Sequence, residues 1–192
     1  YNEDVIILKL HLCNLECKNC SLFEDDKYSN LSIDFILSKI MQSNINTVLI
    51  TGGEPLFYDE IPVVCNAILS LNKKVIIKTN GSIDIRKVPT DVIKIIDVKL
   101  PSSGEENSFY FENLIYMGNQ DILNFDIADL HDIDFSLNLI EKMELEKTDL
   151  IIYFRYNKEL DADRIKKVLK NHSCIFDEKS GYLKFANSII DY

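Results

Sequence analysis

Short runs of β-branched and aliphatic residues alternate, along 192 residues, with longer stretches whose apolar positions recur at helical spacing. This alternation limits the fold more than any other feature of the chain. Val5-Ile6-Ile7-Leu8-Lys9-Leu10 reads as a buried strand and runs directly into a loop of cysteines. After a polar stretch from Glu24 to Asn30, Ser32 stands where it can cap a helix carrying Ile33, Ile36, Leu37, Ile40 and Met41 on one face. A strand over 47–51, a helix from near Pro62 to about Leu71, and strands over 74–78 and about 93–99 follow. Beyond them the pattern predicts a strand over 122–127, a helix over 134–145, a strand over 150–154 and a helix over 162–170. Short runs at 173–176 and 182–185 read as a closing hairpin around Lys179-Ser180-Gly181.

Strands alternating with helices predict an α/β fold with mostly parallel strands, whose ligands sit at the C-terminal strand ends. Six repeats fit poorly into this length, so the expectation is an abbreviated, partly open (β/α)6-type barrel with some helices lost or shortened. A hydrophobic share of 46% suits a single domain spanning 1–192.

The chain has 31 acids against 21 bases, a formal charge of −10 spread along its length. Such a surface repels phosphate backbones, which sets nucleic acid aside as a partner. No apolar run is long enough to span a bilayer and no secretion signal opens the chain, so no membrane association and a cytoplasmic location are expected. The chain begins at Tyr1 without a Met, which leaves room for missing N-terminal sequence. Three of its five cysteines fall within eight residues, a pattern that suits a metal site in a reducing compartment better than a disulfide framework.

Those three are Cys13, Cys17 and Cys20, in a C-x3-C-x2-C loop able to give three thiolates to three corners of an iron–sulfur cube and leave the fourth iron open. The same thiolates with His11 or a distant ligand would also make a zinc set, although zinc sites more often pair two C-x2-C knuckles. Thr51-Gly52-Gly53-Glu54-Pro55-Leu56 follows the second strand; its glycines let backbone approach a ligand closely and Glu54 adds an acceptor. Lys78-Thr79-Asn80-Gly81-Ser82 ends the third strand in ordinary turn chemistry. In Asp97-Val98-Lys99-Leu100-Pro101-Ser102-Ser103-Gly104, Pro101 stops the fourth strand and the following hydroxyls and amides face the barrel mouth.

Taken in this order the motifs resemble the radical S-adenosylmethionine (SAM) superfamily. The run Lys99-Leu100-Pro101-Ser102-Ser103-Gly104 resembles the Lys-x-Pro-Ser-Ser-Gly segment of its 7-carboxy-7-deazaguanine synthase family. Asn113-Leu114 and Asn124-Phe125-Asp126-Ile127-Ala128-Asp129 are also similar, so the resemblance covers roughly Val5 to Ile140. It implies a 4Fe–4S cluster on Cys13, Cys17 and Cys20 whose open iron chelates SAM and passes it one electron. It further implies a 5′-deoxyadenosyl radical that takes hydrogen from 6-carboxy-5,6,7,8-tetrahydropterin, ring contraction with loss of ammonia, and assistance by Mg2+. By the same resemblance SAM lies against Gly52, Gly53, Glu54, Thr79, Asn80, Lys99 and Ser102, and Lys9 and His11 are candidates for substrate contact. A small-molecule substrate, a flavodoxin- or ferredoxin-type electron donor and a homodimer are implied as well.

The resemblance is uneven. Ser21 and Leu22 stand where the family usually carries Asp-Thr, and a leucine cannot replace a magnesium-binding threonine. Lys9 replaces an Arg, a point charge for a planar fork, and Lys78 replaces a Glu. The family's Gln-Gly-Glu segment is not in this chain. The cluster and SAM motifs match while the pterin and magnesium motifs depart, which leaves open a diverged synthase or a relative with another substrate. A glycyl-radical activating enzyme and a non-catalytic iron–sulfur or zinc module are the competing readings. Cys65 and Cys174 read as packing residues, His131 and His172 as solvated, and the charges from Glu141 to Asp149 as a wet helix end.

Overall fold

The computed structural model describes residues 4–18, 20, 28–145, 148–156, 174–177 and 182–185. Six strands are parallel and lie side by side in chain order: β1 (Val5–Leu10), β2 (Thr47–Gly52), β3 (Lys74–Thr79), β4 (Ile93–Val98), β5 (Ile122–Ile127) and β6 (Ile151–Tyr156). Two further strands, β7 (Cys174–Asp177) and β8 (Tyr182–Phe185), extend the β6 edge in antiparallel fashion in the order β6-β8-β7. A sheet in which every strand follows its predecessor winds in one direction, as a barrel does, whereas a doubly wound sheet reverses at a switch point. Among the described strands β1 pairs with β2 alone, so the barrel stays partly open.

The helices are α1 (Ile33–Gln42), α2 (Ile61–Ser70), the single turn α3 (Asn113–Tyr116) and α4 (Leu130–Lys142). The Ser32 hydroxyl accepts from Phe35 N at 3.2 Å and starts α1 where the sequence predicts. Between β3 and β4 the helix shrinks to a 3₁₀ turn, Ile85–Lys87, and between β4 and β5 to a 3₁₀ turn, Pro101–Ser103, followed by α3. These are the lost helices that the length requires. The helix expected over 134–145 begins earlier, at Leu130, because Asp129 Oδ1 accepts from Asp132 N at 2.9 Å. His131 is exposed in its first turn. The expected helix over 162–170, His172 and the turn at Lys179-Ser180-Gly181 lie outside the described residues.

The strand pleat sorts the side chains by face. On the helix-covered face Ile50, Ile77, Ile96, Leu123, Phe125 and Phe154 are buried, with Cys65 of α2 packed among them, fully covered. Burial pushes the Cys65 thiol up to about 11, as befits a packing residue. The alternate positions face away from the helices, and toward the C-terminal strand ends they are polar: Lys9, Lys78, Asp97, Lys99, Asn124 and Asp126.

At the opposite end of the sheet Lys94 and Asp121 form an ion pair at 2.9 Å, with side chains only 7% and 3% exposed. Asp121 also accepts from the backbone nitrogens of Lys94 at 2.7 Å and Gly118 at 2.8 Å. Removing one partner of such a pair strands the other charge. Asp121→Ala is therefore expected to cost about 3–5 kcal/mol in denaturant unfolding; a loss under about 1 kcal/mol would show that Lys94 escapes to water.

Candidate active site

The chain leaving β1 lies directly on the glycines that end β2. Gly53 N donates to Leu10 O and Glu54 N to Leu12 O, both at 2.8 Å, and Leu12 N donates to the Tyr58 hydroxyl at 2.9 Å. A Cβ on Gly52, whose φ is +117°, would stand 2.1 Å from Leu10 O, and one on Gly53 would stand 2.1 Å from Leu12 O. Neither position has room for a side chain. The close approach that these glycines permit is made by the protein's own lead-in to Cys13.

Glu54 has no exposed surface. Its Oε1 accepts from Leu56 N at 2.9 Å and Thr79 Oγ1 at 2.7 Å, and its Oε2 from Asn80 N at 2.6 Å. Burial raises its pKa, while the donors at Asn80, Thr79 and Leu56 and the charge of Lys99 pull it back. The Asn80 side chain is oriented in turn: its Oδ1 accepts from Ser82 N at 2.9 Å and Ser82 Oγ at 2.6 Å. That leaves Nδ2 to donate to Asn14 Oδ1 at 3.1 Å and to reach Cys13 Sγ at 3.8 Å. Asn113, wholly buried in α3, holds the same turn by donating to Gly81 O at 3.1 Å and Ile83 O at 3.0 Å.

The far side of the cysteine loop rests on the exit of β4. Lys18 N donates to Ser103 O and Glu16 N to Glu105 Oε1, each at 2.9 Å. Gly104, at φ +76°, faces the Lys18 side chain, which would lie 3.0 Å from an added Cβ. This segment is anchored from behind by Asp132, fully buried, which accepts from Ser102 N at 3.0 Å and Ala128 N at 2.8 Å.

Cys13, Cys17 and Cys20 are half-buried thiols outside any disulfide. Burial raises the Cys17 thiol, Lys99 opposes the rise, and Glu105, Cys13 and Cys20 reinforce it. The Cys17 sulfur is near enough to Cys13 and Cys20 to feel their charges. Yet among the described residues no three His, Cys, Asp or Glu side chains converge on one metal ion. A zinc site gathers its sulfurs about 2.3 Å from a single centre, whereas a cube takes one thiolate at each of its corners.

The remaining candidates are placed as follows. Lys9 stands opposite Thr51 on the helix-free face, and Lys99 lies 4.0 Å from Asp97 Oδ2. The His11 ring stacks on Tyr28, with centroids 4.1 Å apart and planes at 17°. Ser21 and Leu22 lie outside the described residues. Tyr58, Glu105 and Asp132 had no signal in the sequence, because each acts on backbone brought to it from a distant segment, and neither had Asn14, which meets the side chains of Asn80 and Ser82.

Because its pKa is raised above 4.5, Glu54 binds its proton more tightly in the folded chain than in the unfolded one. Its contribution to stability is thus largest below pH 4.5 and declines as pH rises through the folded pKa. The stability gap between wild type and Glu54→Gln should narrow over that rise; a widening gap would show that the donors around the carboxylate outweigh its burial. Glu54→Ala, which orphans three buried donors, is expected to cost about 3 kcal/mol or more in denaturant unfolding. Glu105→Ala should lower the iron retained after anaerobic reconstitution, and unchanged retention would remove Glu105 from the loop's support.

No family model matches the chain. A 7-carboxy-7-deazaguanine synthase of Koribacter versatilis is 35% identical over 156 residues, covering 77% of this chain and 67% of the relative. One of Thermoplasma acidophilum is 32% identical over 145 residues, covering 72% and 68%. One of Clostridium acetobutylicum is 29% identical over 177 residues, covering 84% and 78%. Among solved structures, archaeal TYW1 aligns with a TM-score of 0.61 at 15% identity, over 96% of this chain and 78% of its own. Streptococcus suis SuiB bound to the precursor peptide SuiA aligns with a TM-score of 0.59 at 14% identity, over 87% of this chain but only 45% of SuiB. The structural matches show a shared fold; the sequence matches show that the chain belongs to the 7-carboxy-7-deazaguanine synthase family of radical SAM enzymes.

Proposed function

We propose that this chain binds a 4Fe–4S cluster and SAM and converts 6-carboxy-5,6,7,8-tetrahydropterin to 7-carboxy-7-deazaguanine with loss of ammonia. The observation that carries the reading is the two-sided support of the cysteine loop at the C-terminal strand ends. The β2 and β3 exits hold it on one side and Ser103 and Glu105 on the other.

In this reading Cys13, Cys17 and Cys20 hold the cluster, and Gly52, Gly53, Thr79, Asn80, Lys99 and Ser102 border SAM. Glu54 acts through Thr79 and Asn80, since its oxygens are already engaged by them and by Leu56. When bound, the cluster and SAM together supply the hydrogen-abstracting 5′-deoxyadenosyl radical. The protein's own part is placement and shielding. Lys99 favours the thiolate at Cys17 by its charge, Asn80 points an amide at Cys13, and Lys9 orients substrate from the helix-free face. His11, stacked on Tyr28, is the second candidate for substrate contact. The reading also takes in a flavodoxin- or ferredoxin-type electron donor, a homodimer and a cytoplasmic location. No helix among the described residues is long and apolar enough to cross a membrane.

The test is anaerobic reconstitution with iron and sulfide, then incubation with SAM, dithionite, Mg2+ and the pterin. Both 5′-deoxyadenosine and the deazapurine are expected, and replacing any one of the three cysteines by Ala should take both to background. Release of 5′-deoxyadenosine without the deazapurine would discard the pterin. Absence of both from a fully loaded protein would discard the reading.

A further inference from the structure

The helix-free face carries charge out of keeping with the rest of the chain. Acids outnumber bases 31 to 21 overall. Yet among the described residues at the C-terminal strand ends of this face, Lys9, Lys78, Lys99 and Arg155 stand with only Asp97 and Asp126. Their strand neighbours Leu8, Ile77, Val98 and Phe154 pack into the core, so the pleat turns these side chains to the other face. Asp126 is engaged by Arg155, whose Nε lies 2.8 Å from Oδ1.

Asp97 is shared between two lysines. Lys78 Nζ lies 3.0 Å and Lys99 Nζ 4.0 Å from the same Oδ2, while Asn124 Nδ2 donates to Oδ1 at 2.8 Å. The Asp97 side chain is 13% exposed, whereas those of Lys78 and Lys99 are 28% and 24% exposed. The carboxylate is thus the fixed member, pinned at both oxygens, and the ammonium groups face the open side. One carboxylate cannot neutralise two ammonium groups, each with three donors. The surplus positive charge has a direction, because Lys99 lies toward the cluster loop and Lys78 is the next cation along Asp97.

We propose that Lys78, braced by Asp97 and Asn124, is the recognition point for a carboxylate on the substrate, with Lys99 left to the SAM side. The inference rests on the pterin reading above and adds to it the residue that reads the acid group. A site built around a buried-edge cation rejects a ligand that lacks the matching anion far more strongly than an apolar pocket rejects a shape change. Lys78 is a binding residue, so its loss should appear in KM and in ligand preference more than in kcat.

The test compares cluster-loaded wild type, Lys78→Met and Lys78→Arg on 6-carboxytetrahydropterin and on tetrahydropterin lacking the carboxylate. The expected result is a KM for the carboxylated substrate raised about tenfold or more in Lys78→Met, with the smaller change in kcat. Its preference for the carboxylated pterin as a competitor should collapse, and Lys78→Arg should restore most of both. Iron content and thermal unfolding are followed alongside; should the Met variant lose them, Lys78→Gln carries the same comparison. A neutral variant that keeps the KM and the preference overturns this inference and leaves the proposed function standing. A wild type that turns over neither pterin overturns the proposed function and the inference together.

Discussion

One carboxylate with no contact with solvent joins the exits of two neighbouring strands, and the site is arranged around it. Glu54 gathers the turn after β2 and the turn after β3 onto its two oxygens. Each of those turns then holds something else. The first presents the glycines on which the chain to Cys13 lies, and the second presents Asn80 to Asn14 and Cys13. A buried carboxylate is costly unless its oxygens are filled, and here the filling is done by backbone and side chains whose positions matter to the cysteine loop.

The opposite support comes from a segment remote in sequence. Ser103 and Glu105 catch the backbone of Lys18 and Glu16, and Asp132 fixes Ser102 from the start of α4. The Ser-Ser-Gly run that most narrows the family resemblance therefore holds the cysteine loop by its backbone, whatever its hydroxyls touch. Gly104 needs its positive φ and its missing side chain for the same contact.

Much of the fold was legible because strand and helix patterns differ in period. β1 and β5 fall on their expected residues, β2 to β4 within one residue, and Ser32 caps α1. The start of α4 was misplaced by four residues because Asp129 competes for the cap through a single hydrogen bond that hydrophobic spacing does not register. The glycines of β2 were legible as positions needing close approach, but what approaches them was not. Lys94 and Asp121, far apart in sequence, show nothing of their buried pairing until the sheet is formed.

By itself the sequence determined the parallel α/β alternation, the placement of three thiols at the end of the first strand and the order of the motifs that follow. These depend on residue type and spacing within a few positions, which the chain carries locally. Only the tertiary structure decided that Glu54 spends its oxygens inside the protein, that the cysteine loop is gripped from two sides, and that Lys78, Asp97 and Asn124 meet on one face. Each of those depends on strands separated by some twenty residues or more being brought to about 4.8 Å of one another, a proximity that no local pattern encodes.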